Sequence, residues 1–172
     1  MTFAQRVAGA LRLDERVYEE VEADETALIQ SGAVVALSSA AAGVGMANFV
    51  GPVGMFYTAV GALLGWIVWA LLTWIIGTRL LPEPQTNADF GQLLRTLGFA
   101  TAPGLLQFFA FVPVIGWLLL LVVAVWLLMA MVVAVRCALD YQRLGRAVLV
   151  VGIGWIVHLI IRVVAAPIYR AY

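Results

Sequence analysis

His158 and Gln107 are the residues of this sequence whose chemistry would be most unusual at the positions where they stand. Each lies inside a long apolar stretch: His158 is about 16 Å along the helix predicted from Ala147, and Gln107 reaches a similar depth beyond Leu97. A histidine at membrane depth can ligate haem or a chlorophyll-type magnesium ion, or relay protons. Because no second histidine or carboxylate accompanies it, we expect a neutral imidazole hydrogen-bonded to Gln107.

The sequence contains no motif of a known catalytic class. HExxH, GxSxG and Walker-type glycine loops are all missing, and no carboxylate lies within an apolar stretch. The single cysteine, Cys137, leaves no internal disulfide and no cysteine-rich metal site. Arg162 is expected to extend towards the membrane interface rather than to line a cavity. We therefore expect a non-enzymatic protein without a metal or cofactor, and we keep association with a pigment or haem through His158 as an alternative.

The composition places these residues in a membrane protein. Hydrophobic residues make up 64% of the 172 residues and charged residues 12%, whereas soluble domains are about half apolar. The formal net charge of zero gives no reason to expect a nucleic-acid partner. The hydropathy pattern predicts an all-α, polytopic bundle of transmembrane helices within residues 29–166. Five spans are predicted, at about residues 29–49, 55–76, 97–112, 114–135 and 147–166.

The termini flank this membrane domain. Residues 1–28 form a predicted amphipathic arm with apolar residues at four-residue spacing and a run of acids in its second half. Such an arm either docks a partner or lies solvated near the lipid headgroups, and the second interpretation is favoured. Residues 167–172 form a short tail.

A second amphipathic segment precedes the third predicted span. Thr86 and Asn87 are suitable N-cap residues, and the negative charge of Asp89 would interact favourably with the positive N-terminal end of a helix. An apolar stripe at helical spacing follows, formed by Phe90, Leu93, Leu94 and Leu97. We expect this helix to lie along the membrane surface, with Pro103 bending the chain as it enters the bilayer.

Rows of small residues mark the first two spans as packing surfaces. Ser39, Gly43 and Ala47 recur every four residues in the first span, and Gly61 and Gly65 form a GxxxG motif in the second. Such rows let two helices approach closely. We expect the GxxxG face to pack against the first span within the chain, with homodimerisation as the alternative.

Charged residues follow the fourth span. Arg136, Asp140, Arg143 and Arg146 are predicted on a helix that continues past the membrane, with Gly145 as its C-cap. Asp140 is placed to pair with Arg136 one turn earlier. The four charged residues are candidates for a cytoplasmic contact.

The arginines predict the orientation of the chain. With five spans, one side of the membrane carries Arg6, Arg12, Arg16, Arg79, Arg95, Arg136, Arg143 and Arg146. The other side carries only Arg162 and Arg170. By the positive-inside tendency, the N-terminus is cytoplasmic and the C-terminus lies outside the cell (inner) membrane.

Several segments, in this order and spacing, resemble the Yip family, the Yip-one domain of five-span membrane proteins, in its bacterial form. They are LRLDERVYEEVEAD, LLGWIVWALLTWIIGTRLLPEP, DFGQLLRTLGFATAPGLL, VVAVRCALDY and GRAV. The resemblance implies a cytoplasmic N-terminus, five spans and no established catalytic activity. Eukaryotic relatives are linked to Rab-type GTPases and vesicle traffic.

The leading functional hypothesis is a membrane scaffold or accessory subunit that acts through helix packing and its cytoplasmic face. Its expected partners are membrane lipids and a membrane protein or a second copy of the chain. The alternative is a small transporter, channel or lipid-handling protein. That alternative requires a path joining the polar residues of the spans, which are Ser38, Ser39, Thr58, Thr73, Thr101, Gln107 and His158.

Overall fold

Helices form almost all of the chain, as the apolar pattern predicts. The structure, a computed structural model, describes the backbone of residues 1–45, 47–112 and 115–169; the side chains at 47–50, 52, 55, 58, 59 and 158–169 are not described. Within these ranges there is no strand, and the α-helices are α1 (Phe3–Leu11), α2 (Glu15–Ala23), α3 (Ala27–Gly45), α4 (Ala47–Ile75), α5 (Phe90–Phe99), α6 (Ile115–Ala138) and α7 (Leu144–Tyr169). A π-helical turn (Ile76–Leu80) extends α4, and a 3-10 helix (Ala102–Phe111) follows α5. The all-α class is therefore confirmed.

Three helical stretches of the described chain are long and apolar enough to cross a membrane: Ala27–Gly45, Val60–Leu80 and Ile115–Ala138. Helix α7 is 26 residues long, and its described side chains cover the shorter apolar stretch Leu144–Val157. Length and composition thus support a multi-pass membrane protein. The count of five spans stays a prediction.

Helix α4 is interrupted near its start. Gly51 has φ +66° and ψ 176°, a left-handed conformation that glycine adopts without the steric cost of a Cβ. The interruption falls between the first two predicted spans, at about residues 29–49 and 55–76.

The third predicted span is not a single α-helix. Its first residues belong to α5, and the 3-10 helix continues after a turn at Ala100 and Thr101. Pro103 stands at the start of the 3-10 segment, where its missing N–H removes no helical hydrogen bond. Ten residues in 3-10 geometry rise about 20 Å, against about 15 Å in an α-helix. The tighter helix therefore extends a stretch that is short for a crossing.

Helix α5 is covered by other helices of the chain, and its position along the membrane surface stays a prediction. Both its apolar side and Arg95 and Thr96 are buried, because α2, α3, α4 and α6 all pack around it. Its N-cap is Asp89, whose side chain accepts from the Gln92 backbone while the Gln92 side chain accepts from the Asp89 backbone. Thr86 does not cap the helix.

The N-terminal arm consists of two helices that complete the core. Its buried apolar residues face α5 and α6 and include Ala10, Val17, Tyr18 and Val21. Deep in α6, Trp126 Nε1 donates to the Leu11 carbonyl at 3.0 Å. The apolar stripe of the arm therefore packs against the same chain, rather than against headgroups or a partner. Its cytoplasmic placement stays a prediction.

Helix α3 packs against α5 and the 3-10 helix through small residues. A Cβ built at Gly104 would lie 3.2 Å from Ser38 Cβ, one built at Gly98 would lie 2.5 Å from Ser31 Cβ, and one built at Gly45 would overlap the Gln107 carbonyl oxygen. On α3 these positions recur every seven residues. The close approach of α3 to α5 and the 3-10 helix thus depends on residues without bulky side chains.

Helix α6 ends at Ala138, earlier than predicted. Asp140 has φ +52°, so the chain leaves the helix there, and Gly145 lies inside α7 rather than capping α6. The predicted pairing of Arg136 with Asp140 is wrong, because Arg136 instead forms an ion pair with Glu15 of α2.

Candidate functional site

A cavity of about 320 Å³ lies between α3, α4, α5, the 3-10 helix, α6 and α7. Its polar lining comes from Ser38, Ser39, Thr101 and Gln107. The structure thus brings together four of the polar residues that the sequence places in the spans. Among the described residues that line the cavity, none carries a formal charge. A cavity of this size and character falls at the small end of ligand-binding sites, which measure roughly 300–1,000 Å³.

The polar groups of the lining differ in how they are satisfied. The Ser38 hydroxyl donates to the Thr101 carbonyl at 2.9 Å, and the Ser39 and Thr101 hydroxyls donate to carbonyls of their own helices. The Gln107 carboxamide has no hydrogen-bond partner among the described residues. An amide in apolar surroundings loses roughly 1–3 kcal/mol when it stays unpaired. Gln107 is therefore a polar group of the cavity with capacity for a ligand.

Three tryptophans form much of the apolar wall. Trp69 and Trp155 meet edge to face with ring centroids 6.3 Å apart, and Trp66 Nε1 donates to the Leu94 carbonyl at 3.0 Å. Trp69 is 9% exposed, so core packing explains its position. Trp155 lines the cavity and yet is 51% exposed. The cavity therefore reaches the outer surface beside α7.

The expected hydrogen bond from Gln107 to His158 stays a prediction. The backbone of His158 lies in α7, but its side chain, like that of Arg162, is outside the described residues. Gln107 itself is a lining residue of the cavity. Association with a pigment or haem through His158 likewise stays a prediction.

The GxxxG pair of α4 makes no close contact with the part of the chain that the structure describes. A Cβ built at Gly61 or Gly65 would meet nothing within 4 Å, so the packing against α3 that we expected at this pair is not seen. Gly65 instead lines the cavity, and Gly61 is exposed. Association of this face with another chain stays a prediction.

The structure describes the side-chain environment of two of the three small residues in the predicted packing row of α3. Ser39 and Gly43 are buried, and Ser39 lies at the cavity. The side chain of Ala47 lies outside the described residues. The closest helix contacts of α3 use Ser31, Ser38 and Gly45, which lie on a different row.

A second region of interest is the polar platform, which we define as α2, the loop of residues 81–89 and the turn of residues 139–143. Arg6 of α1 fixes α2 from one side and is 4% exposed. Its guanidinium pairs with Glu20 at 2.9 Å and Asp24 at 2.5 Å, and it donates to Gln30 at 2.9 Å. The Arg6 hydrogen bond lowers the pKa of Glu20, and hydrogen bonds from Thr26 and Arg6 lower the pKa of Asp24 to about 2.

Arg95 fixes α2 from the other side. It is 7% exposed, and its guanidinium donates to the backbone carbonyls of Val21 (3.2 Å) and Glu22 (3.1 Å from Nε). These carbonyls lie at the C-terminal end of α2, where helical partners run out. Local sequence patterns do not predict this role of Arg95, because the partner helix lies some 70 residues away in the chain.

The loop and the turn of the platform are also tied together. Arg146 pairs with Glu83 at 3.2 Å and donates to the Pro82 carbonyl at 2.6 Å. The Thr86 hydroxyl donates to the Leu139 carbonyl at 3.0 Å. The Tyr141 hydroxyl donates to the backbone carbonyls of Gly77 and Leu81, and burial raises the pKa of Tyr141 to about 12.

The four candidate contact residues therefore divide into two kinds. Arg136 and Arg146 are engaged inside the chain, with Glu15 and Glu83. Asp140 and Arg143 are exposed, and no ion pair occupies them within the described chain. They are the members of this set that can meet another molecule.

Glu22 gives the platform a dependence on pH. Burial, with the Asp140 carboxylate as the next cause, raises the pKa of Glu22 from 4.5 to about 7. Between pH 4.5 and about 7, the Glu22 carboxyl group is mostly protonated in the folded state and mostly ionised in the unfolded state. The contribution of Glu22 to stability is therefore complete below about pH 4.5 and is lost as the pH rises through 7.

Glu22→Gln tests this dependence. Glutamine can still accept from the Gln92 amide, which now donates to Glu22 at 3.0 Å, but it carries no charge. We expect the free energy of unfolding to rise by on the order of 2 kcal/mol at pH 8 and to change little at pH 4. Detergent-unfolding curves at both pH values measure this. Glu25→Gln, at an exposed site after α2, is the control, and an equal response of both variants would contradict the assignment.

Comparison with known proteins identifies the family. A family model, the Yip1 domain, matches residues 15–165, which is most of the chain. No curated protein and no solved structure matches it. The match begins with α2 and includes every helix that lines the cavity. With this match over most of its length and its membrane-length apolar helices, the chain belongs to the Yip1 domain family.

Proposed function

We propose that the protein is a non-enzymatic accessory protein of the membrane that holds a partner against its polar platform. The observation that carries the proposal is the way in which the platform is fixed. Arg6 and Arg95 hold α2, and Arg146 joins the loop of residues 81–89 to α7. A surface ordered in advance loses little conformational entropy when it binds.

Asp140 and Arg143 are the proposed contact residues. Both are exposed on the turn between α6 and α7, beside groups that are already paired. Opposite charges next to each other favour a polar partner surface with complementary charges. The partner is a membrane protein or a second copy of this chain.

Purification from native membranes in a gentle detergent, with quantitative mass spectrometry, tests the proposal. We expect the native chain to retain a stoichiometric protein partner. The double variant Asp140→Arg, Arg143→Glu should recover about fivefold less of it, because both charges are reversed. Arg12→Glu, which reverses an exposed arginine outside the platform, should retain the partner.

Two results would contradict the proposal: no stoichiometric partner with the native chain, or equal recovery with the double variant. Circular dichroism of each variant confirms that the fold is kept. An absorption spectrum of the same sample tests the haem or pigment alternative, since a chromophore lost in His158→Ala would assign that ligand.

A further inference from the structure

We propose that the cavity binds an uncharged, lipid-soluble molecule through a carbonyl group that accepts a hydrogen bond from Gln107. This inference does not depend on the proposed function of the platform. It rests on the shape, the chemistry and the opening of the cavity.

The lining determines the charge of the occupant. Tryptophan and aliphatic side chains surround the cavity, and the described lining residues bring no cation to balance a phosphate or carboxylate. A buried ion without a partner is strongly disfavoured. The occupant is therefore neutral.

Gln107 determines its polar group. The three hydroxyls of the lining already donate to backbone carbonyls of the chain. The Gln107 carboxamide makes no hydrogen bond within the described chain, and its NH₂ can donate to a carbonyl oxygen. The indole N–H of Trp155, a side chain 51% exposed, is a second donor of the described lining without a hydrogen bond in the described chain. An ester carbonyl and a quinone carbonyl share this chemistry.

The opening determines the phase from which the molecule enters. Trp155 is both part of the lining and 51% exposed. It lies about 16 Å along α7 from Leu144, near the middle of a hydrocarbon layer of about 30 Å. Neighbouring Ile156 is 60% exposed, so the mouth opens among apolar side chains. Entry is therefore from the lipid and not from water.

Quenching of tryptophan fluorescence by the occupant tests the proposal on the full chain in phosphatidylcholine nanodiscs. One series receives a short-tailed benzoquinone and a second receives dibrominated diacylglycerol; both probes quench nearby indoles. Dibrominated phosphatidylglycerol, which is anionic, is the third series. We expect saturable quenching by a neutral probe, and the probe that saturates identifies the carbonyl as that of a quinone or an ester.

Two variants link the quenching to the cavity. Gly65→Leu adds a side chain where the cavity is open, and we expect it to abolish the saturable component. Gln107→Leu removes the donor and should weaken binding about tenfold. The control Gly145→Leu makes the same change at an exposed site of α7, far from Trp155, where nothing lies within 4 Å of a Cβ.

Three results would overturn the proposal. They are no saturable quenching by either neutral probe, equal quenching by the anionic lipid, and quenching that Gln107→Leu leaves unchanged. If Gly65→Leu does not fold, Gln107→Leu decides alone. Loss of the protein partner in the platform experiment has no bearing on this test, so the two proposals fail separately.

Discussion

Gly45→Ala is expected to destabilise the protein by about 1–3 kcal/mol, as overpacking of a close-packed contact does. The new Cβ would overlap the backbone carbonyl oxygen of Gln107 and would lie 3.1 Å from Ala110 Cβ. A flexible side chain could rotate away, but here the obstacle is backbone. Helix α3 and the 3-10 helix must therefore separate, and they form one wall of the cavity.

Gly152→Ala is the matched control for this substitution. Gly152 is an exposed residue within α7, and nothing lies within 4 Å of its Cβ position. Alanine is favoured over glycine in a helix by up to about 1 kcal/mol, so this variant should be neutral or more stable. Unfolding in sodium dodecyl sulfate, followed by circular dichroism, measures both. Similar stability of the two variants would show that the contact at Gly45 does not limit the fold.

Arg95→Met is expected to cost about 3 kcal/mol, as removal of a buried charged donor typically does. Methionine keeps the apolar stem of the side chain but leaves the carbonyls of Val21 and Glu22 without a donor. The pH dependence of stability distinguishes the electrostatic role of Arg95 from simple packing. Arg95 opposes the increase in the pKa of Glu22, so the loss of stability attributed to Glu22 should move to higher pH in the variant.

Arg79→Met removes an arginine that is exposed at the π-helical turn. Surface substitutions of this kind change stability by about 0.5 kcal/mol or less. The two variants have the same net charge, so a difference between them comes from the site and not from the charge of the protein. Equal stability of both would refute the capping of α2 by Arg95.

The contacts of α3 show that its sequence does not predict which of its faces packs most closely. Its row Ser39, Gly43 and Ala47 is a sound packing pattern, yet the closest contacts use Ser31 and Gly45. Alanine, glycine and serine occur on every side of this helix. The pattern therefore indicates that close packing is possible without selecting the face. The positions of α5 and the 3-10 helix select it.

Helix α5 shows a second kind of limit. The residues of its stripe do lie on one helix, although that helix begins at Phe90 and not directly after Thr86 or Asn87. The sequence does not show that the opposite face meets α2, whose carbonyls satisfy Arg95. A polar helix face is predicted to be exposed to solvent unless the helix that covers it is known. Here the covering helix, α2, lies in the N-terminal arm. For the same reason Glu22 was indistinguishable from the other acids of that arm.

The sequence by itself determined the class of the protein: an all-helical membrane chain of the Yip1 family, with Gln107 unusual among its apolar residues. Composition and periodicity suffice for the all-helical membrane class, because burial in lipid demands long apolar helices whatever their arrangement, whereas the family resemblance rests on the order and spacing of several motifs. Only the tertiary structure decided which polar groups meet. It placed Gln107 at a cavity with Ser38 and Thr101 and buried Arg95 against α2. Those contacts join residues far apart in the chain, and local patterns do not specify such contacts.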